Sequence, residues 1–375
     1  MKFDLIATTT FGLEAVAKRE IEKLGYKIVK AENGKITFSG NERGIVRANL
    51  WLRTADRVLL KVDEFMVTES EELFQRVGGI AWEEIIPVDG KFTVTCSTVK
   101  SQLRSEPNNQ KTVKKAIALR LADFYGTEKL EEIGAEYTVK ISMLKDRATL
   151  TVDTTGEGLH KRGYRVAPVT APVKETLASA MVQLTFWREG RLLVDPCCGS
   201  GTIPIEAAML GRNIAPGLSR SFASEGWELI PEEIWKEERK AAYSEIDYET
   251  DIRIKASDID AAAITAAKGN AEEAGVDDCI DFSCMDVKNM KAGEESGIII
   301  TNPPYGERIG SEKGIKALYD SLAGFFRENP TWSLFMITPD KEAEEAVMGR
   351  KADRRRKLYN GRMEVCYYQF HGEKR

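Results

Sequence analysis

Apolar positions change their rhythm near residue 155 of the chain. Before it, the pattern is short and mixed. Residues 3–7 read as a strand leading into a helix over 13–24, which Gly25 closes as a C-cap. Short strands are predicted near 27–29 and 35–38, a helix over 42–54, a strand over 58–67 and a helix over 70–80. Strict alternation over 91–96 predicts a half-buried strand. Residues 111–123 have amphipathic helical spacing, and 136–142 with 147–153 resemble a hairpin. Such elements predict two small α+β units. With no glycine-rich loop or acid–base cluster among them, they read as a binding module.

Thr154-Thr155-Gly156-Glu157-Gly158 is a turn-rich boundary, and after Arg165 strands alternate with helices. Strands are predicted over 192–195, 252–257, 280–284, 298–301 and 332–338, with helices up to 210 and over 260–274. Apolar strands separated by helices predict a parallel sheet covered on both faces. The last segment differs: 356–359, then Asn360-Gly361, then 362–370 reads as an antiparallel hairpin with a two-residue turn.

Composition narrows the class. The 375 residues suggest two or three domains, and 42% hydrophobic with 30% charged residues describes a globular protein. No stretch approaches the roughly 20 apolar residues of a membrane span, and residues 1–5 lack a signal peptide's apolar segment. The six cysteines show no CxxC spacing and only His160 and His371 accompany them, so neither a disulfide framework nor a zinc site is expected. A reducing cytoplasmic setting is the expectation.

The net charge of −5 gives no nucleic-acid signal, but its distribution does. Residues 99–120 hold six cations (Lys100, Arg104, Lys111, Lys114, Lys115, Arg120) against Glu106. Residues 350–357 hold six more against Asp353, and 159–174 hold Lys161, Arg162, Arg165 and Lys174 with no acid. Most acidic excess falls between Glu225 and Asp251. One basic run is usually a solvated face; three read as a surface that follows phosphates. Tyr164, Arg162 and Arg165 fit either contact with an RNA backbone or a linker packed on the sheet. The acidic stretch, with Trp227 and Trp235, reads as a covering helix.

Asp195-Pro196-Cys197-Cys198-Gly199-Ser200-Gly201-Thr202 joins the first parallel strand to its helix, where open α/β sheets bind ligands. Gly199 and Gly201 allow close backbone approach. No Lys follows Gly201, against a phosphate loop, and Pro204 stands where a dinucleotide fingerprint needs its third glycine. A nucleoside with an amino-acid tail fits better. Asp195 and the loop would hold the tail, and Asp258 both ribose hydroxyls. Asp286 fits either an acceptor for an adenine amino group or a helix N-cap. Cys197 and Cys198 read as packing residues, since neither has a nearby His to activate it.

Asn302-Pro303-Pro304-Tyr305 follows the apolar run 297–300. It combines a side-chain amide, a carbonyl stiffened by Pro and an aromatic face, groups suited to hold a planar ring and accept from its exocyclic amine. The other reading is a rigid turn after a strand.

Together these segments resemble class I S-adenosylmethionine-dependent methyltransferases. Leu159 to Arg165, Ala171 to Leu177, Ala256 to Asp260 and Asn302 to Arg308 narrow the resemblance to bacterial large-subunit rRNA guanine-N2-methyltransferases carrying an N-terminal THUMP domain. The resemblance implies an α/β fold: a Rossmann-like seven-stranded sheet with an antiparallel C-terminal hairpin, preceded by α+β ferredoxin-like and THUMP domains. It implies a ferredoxin-like segment at 1–42, an RNA-binding THUMP domain at 43–154, a linker at 155–170 and a methyltransferase domain at 171–375. Some relatives carry a second methyltransferase domain; these 375 residues have room for one.

The implied cofactor is S-adenosylmethionine, leaving as S-adenosylhomocysteine. It would be held by Asp195, Cys197, Gly199, Gly201, Asp258, Ile259, Asp286 and Asn302. Asn302, Pro303, Pro304 and Tyr305 would be catalytic, and Lys100, Arg104, Lys111, Lys114, Lys115, Arg162 and Arg165 would bind RNA. The implied partner is 23S rRNA or a ribosome assembly intermediate, without membrane or metal. A tRNA guanine methyltransferase would share every motif, a DNA adenine methyltransferase the Asn-Pro-Pro-Tyr, and a non-catalytic RNA-binding protein the N-terminal half alone.

Overall fold

A computed structural model describes residues 2–166, 173–305 and 312–373. Ala171 and Pro172, the expected domain boundary at 170/171, and Gly306, Glu307 and Arg308 lie outside the described residues. The N-terminal strands are β1 (Phe3–Thr9), β2 (Lys27–Glu32), β3 (Lys35–Gly40), β4 (Ala55–Met66), β5 (Lys91–Val99), β6 (Glu136–Leu144) and β7 (Arg147–Asp153). They form one continuous sheet in the order β2-β3-β1-β4-β7-β6-β5, shared by the two small α+β units that the sequence predicted. The twelve-residue β4 is the reason: it pairs antiparallel with β1 through its first half and with β7 through its second, across a register shift between Lys61 and Asp63. The hairpin of β6 and β7 forms as predicted.

Two further facts tie this half together. The helix Glu42–Trp51 starts at Asn41, whose side chain accepts from Gly44 N at 2.9 Å, and buries Ile45, Val46 and Leu50 in the same core as Leu5 and Phe38. The helix Glu106–Tyr125 is longer than the pattern predicted, opened by Ser105 and Pro107 and ended by Gly126 in a left-handed conformation. It buries Val113, Ile117 and Leu121 and leaves Lys111, Lys114 and Lys115 exposed.

The C-terminal strands are β8 (Leu193–Asp195), β9 (Ile254–Asp258), β10 (Ile280–Cys284), β11 (Ile298–Thr301), β12 (Ser333–Thr338), β13 (Arg354–Asn360) and β14 (Met363–Phe370). Their order is β10-β9-β8-β11-β12-β14-β13, parallel except for the antiparallel β14. This is the predicted architecture. The all-buried Ile298-Ile299-Ile300 shows why: Ile298 and Ile300 pack with Leu177, Ile203 and Ile264, while Ile299 packs with Leu322 and Phe325 on the opposite face. The final turn is displaced by one residue from the prediction. Asn360 pairs with Met363, so Gly361 and Arg362 form the loop, and only Gly361 has positive φ, the pattern of a type II′ turn with Gly first.

The acidic insertion does more than cover the sheet. Trp227 stacks on Tyr137 with centroids 4.8 Å apart and donates from its indole to Glu136 O at 3.1 Å. With Phe222, Ile230 and Trp235 it belongs to the core of the N-terminal half. Arg43 pairs with Glu237 at 2.6 Å and with Glu238 at 2.5 Å from that insertion.

Candidate active site

Four strand ends in a row carry the chemistry. Across the sheet, β10 leads to Asp286, β9 ends at Asp258, β8 at Asp195, and β11 at Thr301 just before Asn302. The chain moves outward from β8 through β9 to β10, then returns to place β11 on the other side of β8. A crevice opens at such a reversal.

Asp195 is 1% exposed. Its Oδ1 accepts from Thr301 Oγ1 at 2.9 Å and from Cys197 N at 3.2 Å, whereas its Oδ2 is buried without a partner. Burial pushes this carboxyl up to about 7, against the hydrogen bonds from Thr301 and Cys197. A buried carboxylate oxygen without a partner is a place for a ligand's N–H or ammonium. Asp258 is anchored differently. Gly199 N donates to its Oδ2 at 2.9 Å, and Asp260 N to its Oδ1 at 3.0 Å, which locks the glycine loop to the end of β9.

The loop glycines have separate reasons. Gly199 has φ +52 and open space where a Cβ would stand. Gly201 has φ +80, and a Cβ there would lie 3.1 Å from Ala267 of the helix Ala261–Glu273 that follows β9. Asn270, on that helix, donates to Ser200 O at 2.9 Å and accepts from Val166 N at 3.0 Å, so it fixes the loop and the segment before it. Burial raises the thiols of Cys197 and Cys198 well above their ordinary value, and both are free, consistent with packing residues.

Two adjoining cavities lie at this edge. One of about 330 Å³ is lined by Asp195, Gly199, Thr202, Asp258 and Asn302. The other, about 480 Å³, is lined by Asp286, Val287, Lys288 and Leu318. Cys197, Asp258, Ile259 and Pro304 border both. Ile259 is 71% exposed, an apolar side chain left uncovered where a flat ring would rest on it. Asp286 caps the short helix Val287–Asn289, accepting from Lys288 N at 3.0 Å; that bond holds its carboxyl below the usual range. It is thus an N-cap and a cavity wall at once.

Pro303 is buried, while Asn302, Pro304 and Tyr305 are partly exposed. The Tyr305 hydroxyl accepts from Asn360 Nδ2 at 3.4 Å, so the C-terminal hairpin supports the tetrapeptide. Thr301, Asn270 and Asn360 were missed in the sequence. Only Thr301, beside Asn302 at a strand end, carried a usable signal.

The proposed RNA-binding cations separate into two groups. Lys100, Arg104, Lys111, Lys114 and Lys115 are exposed on the N-terminal half. Arg162 is not on a surface: it is 3% exposed, pairs with Glu206 at 3.2 Å and donates to Leu159 O and Arg53 O. Arg165 pairs with Glu175 and donates to Ser200 Oγ at 3.2 Å and Thr202 Oγ1 at 3.0 Å. Both arginines therefore brace the linker against the glycine loop and its helix. Glu206, from that helix, is the buried partner that keeps Arg162 off the surface.

An open parallel sheet with acids at successive strand ends, joined to an N-terminal module that carries a local run of exposed cations, defines a THUMP-containing, S-adenosylmethionine-dependent RNA methyltransferase. The comparisons agree. The chain belongs to the RMKL-like methyltransferase family, which matches residues 162–369. The RlmL ferredoxin-like domain matches residues 4–59 and the THUMP domain residues 67–153. YpsC of Bacillus subtilis (strain 168), provisionally named an RNA methyltransferase, is 48% identical over 371 residues, covering 98% of this chain and 96% of YpsC. The ribosomal RNA large subunit methyltransferase K/L of Psychromonas ingrahamii is 34% identical over 95% of this chain, which spans 48% of that relative.

Among solved structures, a Listeria monocytogenes protein described by prediction as an N6-adenine-specific DNA methylase matches with TM-score 0.95 and 45% identity, over 100% of this chain and 97% of that one. SMU.472, provisionally called a methyltransferase and complexed with SAH, matches with TM-score 0.94 and 41% identity, over 100% and 99%. The unpartnered Asp195 oxygen, the open Gly199 and the exposed Ile259 fit S-adenosylmethionine, which is the cofactor.

Proposed function

We propose that the chain transfers a methyl group to the exocyclic N2 amine of a guanine in 23S rRNA, in the cytoplasm, on rRNA or a ribosome assembly intermediate. The observation that carries it is the position of Asn302 and Pro304, within Asn302-Pro303-Pro304-Tyr305, on the wall of the cavities that Asp258 joins. Bound S-adenosylmethionine supplies an electrophilic methyl on sulfur. Asp195 Oδ2 takes the ammonium of the amino-acid tail, Asp258 the ribose hydroxyls, and Ile259 and Leu318 the two sides of the adenine, with Asp286 accepting from its amino group.

A guanine N2 lone pair is delocalised into the ring and is a poor nucleophile. The Asn302 side-chain oxygen and the Pro303 carbonyl would accept its two N–H groups, favouring a pyramidal nitrogen whose lone pair points to the methyl; the S–CH3 bond breaks as N–C forms, the thioether product leaves, and one of the two N2 protons is released to water. Tyr305 stacks on the base, with Asn360 fixing its hydroxyl end. Alignment of this kind is worth about 7–11 kcal/mol. A base in a helix has first to leave its stack, at a cost of a few kcal/mol. Lys100, Arg104, Lys111, Lys114 and Lys115 contact phosphates; the buried Arg162 does not.

A guanine in tRNA would use the same groups. An adenine in DNA is the reading that the Listeria protein's description raises, and the THUMP match speaks for RNA instead. Nucleoside mass spectrometry of rRNA and tRNA from a deletion strain tests the proposal. Loss of N2-methylguanosine from one large-subunit rRNA site supports it; unchanged rRNA sinks it, and loss from tRNA selects the alternative.

A further inference from the structure

Phe11 is 47% exposed on a loop that is firmly built. Gly12, at φ +91, donates to Glu14 Oε2 at 2.9 Å, and its carbonyl accepts from Arg356 Nη1 of β13 at 3.0 Å. A Cβ on Gly12 would lie 2.8 Å from Lys357 O, so the loop is pressed against the hairpin of the catalytic half. Phe11 meets the edge of Tyr359, centroids 6.2 Å apart at 72°. The next residue, Asn360, holds the Tyr305 hydroxyl at 3.4 Å. Arg355, Lys357 and Tyr359 alternate along β13, an edge strand, and therefore share one face. Arg355 and Lys357 are exposed, Arg355 paired with Glu344 and Lys357 with Glu364 at 2.6 Å, surface pairs that a phosphate can replace, and the Lys357 ammonium lies 5.7 Å from the Tyr359 ring.

We infer that Phe11 and Tyr359 form a stacking site for an unpaired RNA nucleotide flanking the target base, with Lys357 and Arg355 along its phosphates. The inference rests on the RNA-methyltransferase reading of Asn302 to Tyr305. Three observations favour this occupant over a protein partner. The pair is continuous with the catalytic Tyr305 through Asn360; the strand leading to it is cationic; and the apolar groups it offers, Phe11 and Tyr359, are aromatic rings, which accept any base. Phe11 comes from the N-terminal half and Tyr359 from the catalytic half, so the site exists only in the assembled chain.

The experiment compares full-length wild type with Phe11→Ala, Tyr359→Ala and the double variant. Calorimetry with S-adenosylhomocysteine serves as the control for folding. Binding is measured with a single-stranded 20-nucleotide RNA and with the same sequence as a duplex. Each alanine is expected to weaken single-strand binding at least about fivefold, with duplex binding little changed. Phe11→Trp and Tyr359→Phe, which keep a ring, should restore it. Single-strand binding unchanged in the double variant overturns the inference, as does equal loss for duplex. This readout does not depend on which RNA is methylated. If 23S rRNA proves not to be the substrate while the alanine effect persists, the function reading fails and the stacking site stands.

Discussion

Thr301 donates its hydroxyl to Asp195 Oδ1 at 2.9 Å, which leaves only Oδ2 of that buried carboxylate for a ligand. The consequence is a pH dependence with a definite sign. The ordinary Asp value is 3.8, and burial raises Asp195 to about 7. Its contribution to stability is therefore fully present below pH 3.8 and lost as pH rises through 7. A cationic ligand group needs the ionised form. Affinity for S-adenosylmethionine should fall by up to about tenfold per pH unit below 7, measured by calorimetry. Asp195→Asn should weaken binding about tenfold or more at pH 7.5 and flatten the profile. A profile that keeps its slope in the Asn variant would assign the titration to another group.

Asn302→Ala should lower methyl transfer by at least about 100-fold while cofactor affinity stays close to wild type. The residue borders the cofactor cavity, so both quantities need measuring on one preparation. Equal loss of both would make Asn302 a cofactor ligand rather than the acceptor for the substrate amine.

The buried pair of Arg162 and Glu206 gives a different signature. Removing one partner strands the other charge, a loss of about 3–5 kcal/mol. Glu206→Gln and Arg162→Met should each lower the apparent unfolding midpoint clearly. RNA affinity of the folded fraction should not change, in contrast to Lys111→Ala or Lys115→Ala, which should weaken RNA binding and reduce its salt dependence. A selective RNA defect in Arg162→Met at wild-type stability would contradict the buried role.

Trp227→Ala removes a fully buried ring from between the two halves, at a cost of about 3–5 kcal/mol. It also frees Glu136 O and unstacks Tyr137. The variant should expose the acidic insertion to limited proteolysis before the rest of the chain. Wild-type resistance of that segment would show that Arg43 and its acidic partners suffice to hold it.

The parallel sheet was legible because local signals agree there: continuous apolar strands, helices of ordinary length, and acids at or just past strand ends. Asp195, Asp258 and Asp286 could be placed in one row from order alone. What escaped depended on partners distant in sequence. Nothing local in β4 announces that one strand serves both β1 and β7. The charge of Arg162 reads as surface until Glu206, on another element, supplies its counterion. The Asn360-Gly361 signal located the hairpin but not its register, which Gly361 settles by taking the first loop position. Trp227 read as part of a cover because its stacking partner lies 90 residues earlier in the chain.

The two halves are fastened at separate points: Arg356 on Gly12 O, Arg162 on Arg53 O, Gln183 on Glu20, and Trp227 on Glu136 O. Adjacent domains ordinarily keep freedom to rock against one another. These four ties work against that freedom, which would make the molecule a gauge of nearly fixed span. An RNA resting on the cationic face of the helix Glu106–Tyr125 would have to offer its base at one distance and one angle. Substrate choice would then follow the shape of a folded RNA more than the letters around the methylated nucleotide.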